Sequence, residues 1–147
     1  MNKIAFTLLL VFVLSINGLM AQYEKVDLEK VPQNIIEAFN QKYPNAEGQS
    51  WTKDRKKNYS VKFKMGKSKC TTNYDKEAKW NGSSITLTFD ELPEAIKESF
   101  KKTEYATWKV QDVTKSENDY ENVYVLMVKN KEQKFISFKE DGTLKQQ

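Results

Sequence analysis

The chain has 147 residues, 39% hydrophobic and 30% charged, with a net charge of +4; this suits a folded globular protein and excludes a disordered polyelectrolyte. It holds no His and one Cys, which excludes His/Cys zinc centres, Cys-His nucleophile pairs and an intramolecular disulfide. Stability must come from packing, for which three Trp, seven Tyr and eight Phe are available.

The first predicted element is a leader. Lys3 supplies a positive start, Ile4 to Ile16 is an apolar run broken by Thr7 and Ser15, and Gly18-Leu19-Met20-Ala21 ends on a small residue. This pattern predicts a secretory signal peptide over residues 1–21, cleaved after Ala21. An apolar run of about 13 residues falls short of the roughly 20 needed to cross a bilayer, so no membrane span is expected after cleavage. No Cys follows the cleavage point for lipid anchoring. The expected location is outside the cytoplasm, periplasmic or secreted.

Val31, Ile35, Ala38, Phe39 and Tyr43 then recur at three- and four-residue spacing, predicting a helix opened by Pro32 and stopped by Pro44-Asn45. A first strand is expected over Gln49 to Lys53, including Trp51. Tyr59, Val61, Phe63 and Met65 alternate with Ser60, Lys62 and Lys64, as a half-buried antiparallel strand requires. Gly66-Lys67 reads as a hairpin turn into Ser68 to Tyr74, where Cys70 takes a half-buried packing position, with an intermolecular disulfide as the alternative. A turn at Asp75 to Ala78 leads into a strand from Trp80 through Ile85 and Leu87 to Phe89.

The order then recurs. Leu92, Ile96, Ser99 and Phe100 mark a second helix with Asp90, Glu91 and Glu94 near its positive end. Strands follow over Trp108 to Lys115, from Asn122, and over Glu132 to Phe138, with Asn130-Lys131 as the hairpin turn and Leu144 opening the last strand. Aligned without a gap at an offset of 64, Tyr59 meets Val123, Val61 meets Val125, Phe63 meets Met127 and Tyr74 meets Phe138; the helices align at 61. The predicted fold class is α+β: two tandem units, each a helix followed by about four antiparallel strands, with helices on one side of the sheet. The units run over residues 22–89 and 90–147. Each is too small to be more than marginal alone, so the two are expected to share one core and one compact body. Ile35, Phe39, Ile96 and Phe100 should pack against Phe63, Tyr74 and Phe138.

These residues carry a resemblance. Val31, Pro32, Ile35, Phe39, Tyr43, Pro44, Trp51, Tyr59, Tyr74, Asp75 and Trp80 form one pattern, which Leu92, Pro93, Ile96, Phe100, Phe138, Asp141 and Gly142 repeat. The pattern resembles the PepSY-like, beta-lactamase-inhibitor-like domains of exported bacterial proteins. The resemblance implies two helix-plus-four-strand units whose concave sheet surface grips a protein. The inhibitors that give the family its name are rich in disulfides, whereas this chain has none, and no inhibitory loop carries over.

Charge points to a surface. Residues 49–80 hold ten basic side chains against three acidic ones. Lys62, Lys64 and Lys69 fall on the face opposite Phe63 and form a cationic strip. With the aromatic residues Trp51, Trp80 and Tyr59, these lysines make up the candidate binding surface. Asp112, Glu117, Asp119 and Glu121 cluster in sequence, yet no nucleophile, base or phosphate loop accompanies them, so no catalytic, metal or cofactor residue is assigned and no enzyme is expected. The expected function is an exported, non-catalytic binding module, inhibitor-like or sensor-like, that contacts a protein in the cell envelope. The alternative is a binder of anionic lipid or polysaccharide through the lysine face. Nucleic acid is not an expected partner for an exported chain.

Overall fold

The structure, a computed structural model, describes residues 23–145. The signal peptide expected over residues 1–21 lies outside the described residues. Strand β1 (Glu24–Val26) leads through a 3-10 turn into helix α1 (Gln33–Lys42). Four strands follow: β2 (Glu47–Lys53), β3 (Tyr59–Met65), β4 (Ser68–Tyr74) and β5 (Trp80–Leu87). Helix α2 (Glu94–Lys101) then precedes β6 (Lys109–Glu117), β7 (Asn122–Lys129), β8 (Gln133–Lys139) and β9 (Leu144–Lys145).

The expected fold of two tandem helix-then-strands units is corrected by the hydrogen-bond ladder. All nine strands form one antiparallel sheet in chain order, with two short helices of 10 and 8 residues. An unforeseen strand, β1, precedes the first helix and pairs with β2 from Glu24↔Lys53 to Val26↔Trp51. In the middle, β5 pairs with β6 from Ser83↔Glu117 to Leu87↔Val113, so the ladder has no break there. The physical reason is the cost of bare edges: a long β5 beside a long β6 would leave two rows of backbone groups unpaired, and pairing them removes both.

A second correction concerns register. In β7 the buried side chains are Tyr124, Leu126 and Val128, whereas Val123, Val125 and Met127 are half-buried on the opposite face. The ungapped alignment had matched this second set to the buried Tyr59, Val61 and Phe63. The cause is one residue. Tyr59 pairs with Tyr74 around a two-residue turn at Gly66-Lys67, while Tyr124 pairs with Phe138 around a three-residue turn at Asn130 to Glu132. A slip of one residue moves a whole strand's side chains to the other face.

Both helices cover the same face. Phe63, Cys70, Ile85, Lys115, Tyr124 and Phe138 are successive partners across the strands, so they share one side of the sheet. On this inner side the apolar residues form two clusters rather than the single expected core. Ile35 and Phe39 of α1 join Trp51, Tyr59, Val61, Phe63, Cys70 and Tyr74. Ile96 and Phe100 of α2 join Val113, Tyr124, Leu126, Val128, Ile136 and Phe138. The ring of Phe39 meets Phe63 edge-on at 5.0 Å and Trp51 at 5.3 Å. Cys70 is buried and free, and burial pushes its thiol pKa up, consistent with an inert packing role.

Between the clusters the inner face is polar at the Ser83–Glu117 end of the β5–β6 pairing and apolar at the Leu87–Val113 end. The Tyr43 hydroxyl meets Ser83 Oγ, Ser83 Oγ donates to Thr72 Oγ1 at 2.8 Å, and Trp80 Nε1 donates to both Thr72 at 3.0 Å and Ser83 at 2.9 Å. Beside them Lys115 and Glu117 form a half-buried ion pair at 3.1 Å. Desolvation, the largest single influence on the Lys115 ammonium, works against its charge, yet its hydrogen bond and attraction to Glu117 leave its pKa raised.

Candidate binding surface

With both helices on the inner side, the outer face of the sheet is uncovered by any described element. Alternation in β3 and β4 places Lys62, Lys64 and Lys69 there, all exposed. Lys64 and Lys69 stand directly opposite each other, and Lys62 lies between Ser50 and Thr71. None of the three forms an ion pair among the described residues. A shallow groove runs among them, lined also by Gly48 and Thr71. Lys64 has Glu47 opposite it on β2 and Lys69 opposite it on β4, so the face keeps a net positive charge that an anionic partner would relieve.

Following the row of partners outward from Lys62, the outer face reads Thr71, Ser84, Ser116, Val123 and Lys139. The neighbouring row carries Thr86, Thr114, Val125 and Ser137, and Met127 lies opposite Phe135. The surface therefore carries lysines on β3 and β4, a hydroxyl band on β4 to β6 and an apolar strip on β7 with Phe135, beyond which Ser137, Lys139 and Lys145 restore polarity. Phe135 is 51% exposed, and Val123, Val125 and Met127 are half-buried. Sequence reasoning missed this strip because β7 is apolar at almost every position, so its alternation marks neither face.

The structure separates the six candidate site residues. Trp51 and Tyr59 are buried on the inner face, Trp51 pairing with Val61 and Tyr59 with Tyr74. Trp80 is half-buried on the same side, tied into the hydroxyl network, with Lys42 Nζ lying 3.9 Å from its ring centroid. The parity that puts the lysines outside puts these three aromatics inside, so they cannot line one surface with the lysines. The acidic residues grouped in sequence are also dispersed: Glu117 pairs with Lys115 and Glu121 with Lys145. Among the described residues no group of three or more His, Cys, Asp or Glu could hold a metal ion.

The turn that joins β2 to β3 is preorganised. Asp54 accepts from the backbone N–H groups of Asn58 at 2.9 Å and Lys56 at 2.8 Å. Donation from Asn58 is the leading cause of the Asp54 carboxyl titrating below its ordinary value. Lys57 is held there at φ 62, a left-handed conformation that ordinary residues seldom adopt.

The chain matches the family described as "Putative beta-lactamase-inhibitor-like, PepSY-like" over residues 18–71 and 57–146. It belongs to this family. Solved structures similar to this PepSY-like chain include a BLIP-like protein from Bacteroides fragilis, 25% identical with a TM-score of 0.70, covering 78% of this chain and 83% of that one. A DUF2874 family protein from Bacteroides uniformis is 25% identical with a TM-score of 0.68, covering 77% and 85%. A protein from Bacteroides eggerthii described as "putative periplasmic" is 24% identical with a TM-score of 0.68, covering 78% and 85%. No curated protein matches the chain. No helix among the described residues is long and apolar enough to cross a membrane.

Proposed function

We propose that this PepSY-like chain is an exported, non-catalytic binding module that presents the outer face of its sheet to a protein partner in the cell envelope, periplasmic or secreted. The observation that supports it most is the asymmetry of the sheet, one side sealed by two helices and the other bare, bearing an excess of lysines and an apolar strip. Soluble proteins seldom leave contiguous apolar surface without a use. Export is supported by the leader pattern of residues 1–21. An inhibitor role is consistent with the likeness to a BLIP-like protein. The lysine end alone favours the second reading, a binder of anionic lipid or polysaccharide.

Capture of partners from envelope extract at low and high salt separates the two. Protein retained at high salt supports the first reading, while lipid or glycan lost with salt supports the second. Lys62→Gln, Lys64→Gln and Lys69→Gln together should weaken capture while moving stability by less than about 0.5 kcal/mol each. A triple variant that keeps every partner would retire the lysine strip as the recognition surface.

A further inference from the structure

We propose that the unpaired stretch of β2, with the lysine groove beside it, takes an extended acidic segment of a partner protein into the sheet as an added strand. This rests on the reading of the outer face as protein-binding and specifies what that face receives. The first observation is a gap in the edge. β1 covers β2 only from Trp51 to Lys53, and its last pair is Val26↔Trp51. The chain then departs at Asp27 into a 3-10 turn over Leu28–Lys30. Of Glu47 to Ser50, the two ends pair with β3 while Gly48 and Gln49 form the bulge between them, and none of the four has a described strand on the other side.

The second observation is the space along that gap. A groove of about 500 Å³ lies between Lys25–Leu28 and Gly48–Trp51, with Leu28, 50% exposed, as an apolar wall. The lysine groove shares Gly48 with it. Gly48 has φ +62, and no atom lies within 4 Å of the position a Cβ would take, so the passage between the grooves is open. An extended segment in the first groove would meet backbone N–H and C=O groups, and its outward side chains would reach across Gly48 and Ser50 toward Lys62 and Lys64 on the next strand, beside Glu47, the partner of Lys64.

The third observation selects the occupant. On this face Lys25, Lys62, Lys64 and Lys69 outnumber Glu47, the cross-strand partner of Lys64, and Lys62, Lys64 and Lys69 form no ion pair among the described residues, so the complementary segment is acidic. The extra residue that β2 inserts between Glu47 and Ser50 bends the edge and bars indiscriminate flat pairing. Lipid headgroups and polysaccharides can meet the lysines but cannot match a strand edge.

The test uses the chain of residues 22–147 and a fluorescein-labelled decapeptide of alternating Glu and Val, with a twin N-methylated at every second residue. Both peptides carry the same charge; the twin cannot complete the pairing. Fluorescence anisotropy should show the twin binding at least about tenfold more weakly, as losing two or three backbone hydrogen bonds implies. Amide exchange of Gly48, Gln49 and Ser50 should slow in the complex with the unmethylated peptide. Equal binding of the two peptides, no protection at residues 48–50, or no binding of either at low salt would each overturn strand addition. Those results leave the outer-face reading standing, because that reading is tested separately by capture at low and high salt and by the triple lysine variant.

Discussion

Neighbouring residues in β7 offer a sharp trial of the register. Leu126 is fully buried, with Val113 and Ile136 as its partners on either side. Val125, one residue earlier, lies half-buried on the outer face between Thr114 and Ser137. Replacing Leu126 by Ala removes three carbons from a closed site and leaves a cavity, which costs about 2–5 kcal/mol. Replacing Val125 by Ala removes two carbons already partly in water. At about 0.8 kcal/mol per fully buried carbon, half-burial gives a cost near or below 1 kcal/mol. The expected gap is therefore at least about 1–2 kcal/mol, roughly a tenfold or larger difference in the unfolding constant. Urea unfolding followed by circular dichroism, with the slope held common to both variants, measures it directly. If Val125→Ala costs as much as Leu126→Ala, Val125 is as buried as Leu126 and the outer apolar strip does not exist; if it costs more, the faces are assigned the wrong way round.

Three further outcomes follow from single sites. Phe39→Ala, at a residue with 0% exposure and ring contacts to Tyr43, Trp51 and Phe63, should lose about 3–5 kcal/mol, and a thermal melt matching the parent would disprove its burial. Gly142→Ala should destabilise by about 2–5 kcal/mol, since the residue sits at φ +86 and a Cβ would lie 2.5 Å from the Ala95 carbonyl oxygen; an unchanged urea midpoint would contradict that approach. Burial pushes the Tyr74 phenol up to about 12 from 10.0, and the Thr72 hydroxyl that partly offsets the rise is taken up by Gly82, Trp80 and Ser83. Between pH 10 and 12 the unfolded chain ionises while the folded one keeps its proton, so stability present below pH 10 is lost as pH rises through that window. Tyr74 Oη is buried with no hydrogen-bond partner, so Tyr74→Phe should leave stability at pH 7 unchanged or raise it by about 1 kcal/mol, and should flatten the alkaline loss; a steeper alkaline loss would refute this.

What was legible in the sequence depended on contrast between neighbours. Tyr59 to Met65 alternates aromatic or aliphatic residues with Ser and Lys, and its faces were read correctly together with the outward lysines. Ile35, Phe39, Ile96 and Phe100 stand out on otherwise polar helices, and all four are buried. In Val123-Tyr124-Val125-Leu126-Met127-Val128 every residue is apolar, so only the turn length fixes the register, and turn length follows from pairing across the hairpin. Glu24–Val26 carries too little apolar content to announce a strand and forms one because β2 offers it an edge. The separation of Trp51, Tyr59 and Trp80 from the lysines was implicit in the same alternation, since a residue opposite Val61 or Tyr74 must face inward.

The polar band between the two apolar clusters has a mechanical consequence. Packed apolar side chains resist displacement because any gap forfeits contacts on every side at once. Tyr43 and Trp80 tie the hydroxyl network to the first cluster, and β5 and β6 are joined by five residue pairs that run from Ser83↔Glu117 to Leu87↔Val113. Strand pairs accept a range of mutual twist without losing their hydrogen bonds. Twist between β5 and β6 is therefore opposed by fewer apolar contacts at the Ser83–Glu117 end of their pairing than at the Leu87–Val113 end.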